Sequence, residues 1–337
     1  MAQFDQSMIP HALDARASRW AVAREHLAVL VELSKPGIVR MVVVATAVGY
    51  LIGSIGAVPD LWVAVFCLVG TALSAAGANA LNQAAEVERD SCMRRTASRP
   101  IPIGRVSRRV GYFAGIAFSI AGVAMLWFGA TPAAAVVSLA TILSYVLFYT
   151  PLKAVTPLST LVGAIPGALP PLVGWAAASG TVVGEPGTSA WQRLLDPGGW
   201  SLFALMFVWQ IPHVMAISWK YRDDYAAGGY RVLPSVDPTG IKTARASVIW
   251  AATLIPVSFL PAVTITRHGV AGDSSVLGLT YVVVALICGL VMLWSTLEFL
   301  RERTNKRALV VFIVSILYLP AVLAAMLIDA FIVHRLW

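Results

Sequence analysis

The chain has 337 residues, of which 58% are hydrophobic and 12% charged, with a net charge of +8. Soluble domains carry nearer a quarter charged residues, so this composition excludes a soluble enzyme and indicates one polytopic membrane domain. The three cysteines, Cys67, Cys92 and Cys288, lack paired or metal-type spacing, so neither a disulfide framework nor a zinc site is implied.

Residues 1–37 form a segment of mixed polarity carrying Arg16, Arg19, Arg24 and Lys35. It has no short apolar core followed by a small-residue cleavage site, and hence no secretory signal. Asp14, Glu25 and Glu32 argue against a mitochondrial transit peptide. Ala15–Leu33 suits an amphipathic surface helix, which Ser34-Lys35-Pro36-Gly37 then breaks. Residues 38–337 read as the membrane domain. Nine apolar stretches follow one another, at 38–56, 61–82, 111–129, 132–150, 157–178, 200–219, 246–266, 275–297 and 309–333. Each is close to the roughly 20 residues a helix needs to cross a bilayer. In lipid such stretches must be helical, because their backbone groups find no water. Pro157, Pro166, Pro170 and Pro171, with Gly163, Gly167 and Gly174, interrupt the fifth. Breaks of this kind are tolerated where neighbouring helices or a cavity satisfy the backbone again.

The basic residues fall on alternate connections. Counting Arg40, at the start of the first stretch, 22 of the 25 lysines and arginines lie before the first stretch or after the second, fourth, sixth and eighth, leaving Arg193, Arg267 and Arg335 opposite. This asymmetry predicts a cytoplasmic N-terminus and an outside C-terminus, in a bacterial cytoplasmic membrane. It also accounts for the net positive charge without nucleic acid.

The densest polar stretch is 79–105, with Glu86, Glu88, Asp90 and five arginines. On a continuous helix Asn82, Glu86 and Asp90 fall at i, i+4 and i+8 and drift by only about 40° per step, so they share a face that Glu88 leaves. Two carboxylates and an amide oxygen suit Mg²⁺, which binds through one or two carboxylates plus substrate phosphates. Arg94, Arg95 and Arg99 follow, and arginine suits phosphate. The alternative is a solvated charged loop obeying the positive-inside bias. A second cluster follows the sixth stretch. On a continuous helix Trp209, His213, Lys220 and Asp224 form one stripe, a wall facing the same cavity, with Asp223 about 100° away. Against this stands a helix end dressed with interfacial anchors, the preferred reading for Trp219 and Tyr221. An ionisable residue inside a span, such as His213, points to function. Lys153 is a diphosphate contact or a positive-inside anchor. Tyr145 and Tyr149, one turn apart, line the cavity or belong to the interface. Asp329 reads as structural, and His11, His26, His268 and His334 as solvated.

Asn82-x-x-x-Glu86-x-x-x-Asp90-x-x-Met93-x-Arg95-Thr96-x-x-Arg99-Pro100 resembles the first motif of the UbiA-type intramembrane prenyltransferases, with Glu86 where Asp is usual. Trp209-Gln210-Ile-Pro-His213, Tyr221-Arg222-Asp-Asp224-Tyr225, Val232-Leu233-Pro234 and Tyr149-Thr-Pro-Leu-Lys153 resemble its haem-modifying branch. The chain departs from the wider family in placing His213 and Lys220 where a second acidic pair is common, and from the branch in carrying Ser159 where Asn is expected. The resemblance covers about residues 30–330. It implies an all-α bundle of nine transmembrane helices around a central cavity. It further implies transfer of the farnesyl group of farnesyl diphosphate to a vinyl group of haem b, with water addition and release of diphosphate. Under it, Glu86, Asp90 and Asp224 hold Mg²⁺ with Asn82 in support. Arg95, Arg99, Lys153 and Lys220 take the diphosphate. His213 and Trp209 face the haem, which is a substrate rather than a cofactor. A downstream membrane enzyme that oxidises haem O is an implied partner. Two rivals stay open: a related prenyltransferase acting on a quinone-ring or tetrapyrrole acceptor, and a polytopic transporter, which would also use broken helices.

Overall fold

The computed structural model describes residues 20–21, 24–55, 58–178, 189–267 and 274–330. Residues 15–19 and 22–23 of the anticipated surface helix, His11, His268, His334 and Arg335 lie outside them. Among the described residues nine helical segments are long and apolar enough to cross a membrane: Pro36–Gly53, Leu61–Ala85, Arg108–Gly129, Pro132–Leu152, Ser159–Ala177, Pro197–Lys220, Ile241–Thr264, Leu279–Arg301 and Asn305–Ile328. The fold is thus the all-α bundle that hydropathy predicts. Two two-residue strands, Thr266–Arg267 and Ser274–Ser275, pair antiparallel between the seventh and eighth spans.

Several spans start on a polar cap that accepts the free amides of the first turn. Asp60 accepts from Trp62 and Val63, Ser107 from Val110, Thr131 from Ala134, Asp196 from Gly198 and Thr304 from Arg307. Proline opens the first, fourth and sixth spans, where its missing N–H costs nothing. The fifth span divides at Leu169 into Ser159–Ala168 and Pro170–Ala177. The second and third spans approach most closely where small residues meet. A Cβ on Gly77 would lie 2.6 Å from the Ser119 nitrogen and 2.7 Å from the Gly115 carbonyl oxygen. With no hydrophobic drive between helices in lipid, such close van der Waals contact is what joins them.

Residues 24–34 are helical and lay Val29 and Leu33, one turn apart, on Ala80, Ala84 and Ile101. The end of that helix is tied down from the second span. Gln83 Nε2 donates to the Leu33 carbonyl (2.8 Å), and Asn79 Nδ2 donates to that of Ser34 (2.9 Å). Lys35 follows at φ 53°, the one non-glycine residue at positive φ among those described, and Pro36 opens the first span.

Both continuous helices assumed from the spacing are broken. The second span ends at Ala85, Glu86 takes φ −102° and ψ 12°, and a separate turn, Val87–Asp90, follows. The sixth span ends at Lys220, Tyr221 takes φ −108° and ψ 21°, and Arg222–Ala227 starts anew. Neither break contains Gly or Pro. At each, the residue at the break meets a distant basic side chain: Lys153 pairs with Glu86, and the Arg95 guanidinium lies over the Tyr221 ring.

Candidate active site

The break at Glu86 keeps Asn82, Glu86 and Asp90 inside the protein, at 2%, 5% and 1% exposure. Each then meets a cation from a different part of the chain. Lys35 Nζ donates to Asn82 Oδ1 (3.0 Å), Lys153 Nζ stands 2.5 Å from Glu86 Oε1, and Arg99 donates to Asp90 Oδ2 at 2.5 Å. Asn82 Nδ2 donates to Thr150 Oγ1 (3.2 Å), which donates to the Tyr145 carbonyl (2.9 Å). The Asp90 turn is braced by Thr96, whose hydroxyl donates to the Asp90 carbonyl (2.9 Å). Glu88 points elsewhere, to Arg108 at 2.5 Å, with its side chain 70% exposed.

Electrostatics differ among these cations. Burial, with the neighbouring Arg99 and Lys153 adding to it and Glu86 and Asp90 partly offsetting it, brings the Lys35 pKa down to about 7. Burial also opposes the charge on Lys153, but the Tyr149 ring and the Glu86 carboxylate hold its ammonium above the ordinary lysine range. Lys153 lies 4.9 Å from the Tyr149 ring centroid and 5.0 Å from that of Tyr230. Burial raises the Tyr230 phenol, Lys153 works against that rise, and the charges of Glu86 and Asp90 add to it. Tyr230 is placed by the turn before it. Gly229 sits at φ +68°, and Arg89 Nη1 donates to the carbonyls of Gly228 (3.3 Å) and Gly229 (3.1 Å) while its guanidinium covers the Tyr230 ring.

Behind this polar cluster lies a cavity of about 370 Å³. Its lining comes from the first, second, fourth, fifth and sixth spans, including Ile38, Asn79, Ile142, Tyr145, Tyr149 and Gln210. Asn79 and Tyr149 join it to the cluster. Tyr149 stands beside Lys153, and Asn79 holds the loop that presents Lys35. Tyr145 and Tyr149 therefore line the cavity, with ring centroids 5.4 Å apart across a π-helical turn, Ser144–Tyr149.

The second cluster is arranged otherwise than its stripe predicts. Asp224 accepts from the Arg95 backbone amide (3.3 Å) and pairs with Arg94 (3.7 Å), while the Arg95 guanidinium lies over the rings of Tyr221 and Tyr225. Asp224 thus clamps the arginine loop and does not assemble with Glu86 and Asp90. Among the described residues no group of three or more His, Cys, Asp or Glu side chains is placed to hold a metal. Lys220 is exposed, with its ammonium 5.3 Å from the Tyr221 ring centroid. Gln210 and Val214, rather than Trp209 and His213, line the cavity on the sixth span. His213 lies about 60° round the helix from Gln210, against Phe312 and Ser315 of the ninth span, and Trp209 Nε1 donates to the Ser315 carbonyl (2.9 Å). Sequence reasoning passed over Lys35, Thr150 and Tyr230. For Lys35 a signal existed: a basic residue immediately before the proline that opens a span.

The profile of the UbiA prenyltransferase family matches residues 42–326. The chain belongs to the UbiA prenyltransferase family. It is 41% identical over 307 residues to the protoheme IX farnesyltransferase of Solibacter usitatus, covering 89% of this chain and 97% of that one. It is 38% identical over 300 residues to the protoheme IX farnesyltransferase of Salinibacter ruber, covering 89% and 98%. Among solved structures it resembles digeranylgeranylglyceryl phosphate synthase, with a TM-score of 0.70 and 18% identity over 90% of this chain and 98% of that one. It also resembles a UbiA homolog from Archaeoglobus fulgidus bound to DMAPP and Mg²⁺, with a TM-score of 0.55 and 14% identity over 90% and 99%. This UbiA-family chain is therefore an integral membrane protein, and the polar cluster at the end of its cavity is its candidate catalytic centre.

Proposed function

We propose that this UbiA-family protein is a protohaem IX farnesyltransferase, joining the farnesyl group of farnesyl diphosphate to a vinyl group of haem b. The C1–oxygen bond of the allylic diphosphate breaks, and its electron pair leaves with the diphosphate. The vinyl π pair forms the new carbon–carbon bond. The resulting cation takes an oxygen from water, which loses a proton, giving the hydroxyethylfarnesyl side chain of haem O. The observation that carries this reading is the junction of an apolar cavity with a cluster in which three basic side chains meet three buried oxygen-bearing ones. The protohaem farnesyltransferase relatives cover nearly the whole chain and support the choice of acceptor.

The residues present fit Mg²⁺. Asp90 Oδ1 is buried with no hydrogen-bond partner, and Glu86, Asp90 and Asn82 offer the hard oxygens that Mg²⁺ takes together with substrate phosphates. Glu86 and Asp90 would hold it, with Asn82 beside them. Bound there, the ion supplies Lewis-acid stabilisation of the leaving diphosphate. Lys153 and Arg99 beside the carboxylates, and the exposed Arg95 at the edge, present positive charge to the same leaving group, joined by Lys35 in its protonated form; such preoriented charge acts most strongly where water is restricted. Asp224 holds Arg95 in place through its backbone amide. The cavity walls restrict water until the carbon–carbon bond has formed. Farnesyl is all hydrocarbon, so lipid is its natural approach. His213, packed between Trp209 and Phe312 beside the cavity rather than on its wall, is the residue assigned to the porphyrin.

The loop charges support an N-terminus in the cytoplasm of a bacterial cell, where diphosphate is supplied. The product suits a haem O-oxidising membrane enzyme as the next step. Purified protein in detergent, given haem b, farnesyl diphosphate and Mg²⁺, should yield a haem heavier by one farnesyl group and one water, less a proton, in a mass spectrum. Unmodified haem beside farnesol formed by hydrolysis of the farnesyl diphosphate would overturn the assignment.

A further inference from the structure

Ser315 is fully buried in the ninth span, and its hydroxyl has two polar neighbours. Oγ lies 2.6 Å from the Phe312 carbonyl oxygen and 2.8 Å from His213 Nδ1. A serine hydroxyl has one proton. Two oxygens 2.6 Å apart repel unless that proton lies between them, so the hydroxyl donates to Phe312. Its lone pair then faces His213, and the proton shared with the imidazole must come from Nδ1. In a neutral ring this leaves Nε2 as a bare acceptor.

The surroundings hold the ring in that pose. Its plane lies between Trp209 and Phe312, with centroids 5.2 and 5.0 Å away and interplanar angles of 23° and 30°. Trp209 ties down the backbone of the same serine by donating to its carbonyl (2.9 Å). Among the described residues no hydrogen bond reaches Nε2, and His213 is only half-buried. A metal-binding histidine ordinarily donates its other N–H to a fixed acceptor, which sets tautomer and ring orientation. Here that arrangement is complete apart from the metal.

We infer that Ser315 is a positioning residue: it holds His213 as the Nδ1–H tautomer, so that Nε2 presents its lone pair to the iron of the haem acceptor. The inference rests on the reading that His213 meets haem. Two measurements separate the two ideas. The first is the ¹⁵N spectrum of histidine-labelled, haem-free protein in detergent, with the His213 signals identified by their loss in His213→Ala. Wild type and Ser315→Thr, which keeps a hydroxyl, should show Nδ1 protonated and Nε2 bare. Ser315→Ala should lose that bias. The second is a haem titration followed by absorbance. Ser315→Ala should bind haem about 10- to 100-fold more weakly, the usual loss when such an outer partner is removed. Ser315→Thr should restore affinity and spectrum, and farnesyl diphosphate binding should hold in both. Protonation at Nε2 in wild type overturns the inference outright. Protonation at Nδ1, with haem binding unaltered in His213→Ala, also overturns it, at the haem reading rather than at the tautomer. Should Ser315→Ala fail to fold, the wild-type spectrum and the His213→Ala titration still decide.

Discussion

Lys153 and Glu86 allow the site to be tested as electrostatics before it is tested as chemistry. Their side chains are 10% and 6% exposed, with charged atoms 2.5 Å apart. Lys153→Met keeps most of the stem that packs beside Tyr149 and Tyr230 but removes the cation. Glu86 is then a carboxylate in a sealed place without its partner. Removing one member of a buried ion pair costs about 3–5 kcal/mol, because the remaining charge stays desolvated, although replacing the whole pair by neutral groups is often close to neutral. Lys153→Met should therefore be clearly destabilised. The double variant Lys153→Met/Glu86→Gln should recover most of that loss while both remain inactive. Thermal or denaturant unfolding in one detergent, followed by tryptophan fluorescence, measures the cycle. A double variant as unstable as Lys153→Met would show that the cost lies in packing, and the ion-pair account would fall.

Glu86→Gln and Asp90→Asn should each lower turnover by about a hundredfold or more, since several kcal/mol of leaving-group stabilisation is lost, whereas Glu88→Gln, exposed and paired with Arg108, should change little; comparable turnover in all three at saturating Mg²⁺ would remove the carboxylates from the mechanism. Lys35→Met should weaken competition by free diphosphate more than Lys220→Ala does, because Lys35 is half-buried and bonded to Asn82 whereas Lys220 is exposed; the reverse order in a competition assay would contradict this site. Asp329 Oδ2 accepts the Gly278 and Tyr281 amides (2.8 and 2.7 Å), so Asp329→Ala should cost about 1–2 kcal/mol as a lost helix cap without altering KM, and an unchanged unfolding midpoint would refute that role. In sealed vesicles Arg105→Cys should resist an impermeant outside reagent, and labelling there would overturn the proposed orientation.

Nine spans were legible because lipid leaves a segment little choice of structure, and hydropathy alone marks where each begins within a few residues. The carboxylates of the first motif were legible from type and spacing. Their geometry was not, because the helix breaks at Glu86, whose partner Lys153 is 67 residues further along, and nothing local to Val87-Glu88-Arg89-Asp90 announces either. The same limit governs His213. Its stripe with Lys220 and Asp224 assumed a helix running through Tyr221, and its real partner, Ser315, is 102 residues away. Lys35 was hidden in a tetrapeptide whose proline and glycine read simply as an interruption. Its role depends on Asn79 and Gln83 gripping the carbonyls before it.

The arrangement of these cations bears on how a diphosphate can be handled beside a membrane. Placing a charge in a buried site is expensive unless a partner and further hydrogen bonds compensate it. In this protein Lys35, Lys153 and Arg99 arrive from before the first span, after the fourth and within the motif loop, and each is matched to one oxygen-bearing side chain. Their desolvation is thus incurred when the bundle folds, not when substrate enters. A diphosphate reaching the cluster meets positive groups already gathered and oriented, which is the condition under which electrostatic stabilisation is effective in the transition state. The same pairing explains why three separate segments must converge on one short stretch. Lys35 depends on the docking of residues 24–34 over the second span, so disturbing Val29 or Leu33 on the buried face of that helix should reach the chemistry through Lys35 rather than through the carboxylates themselves.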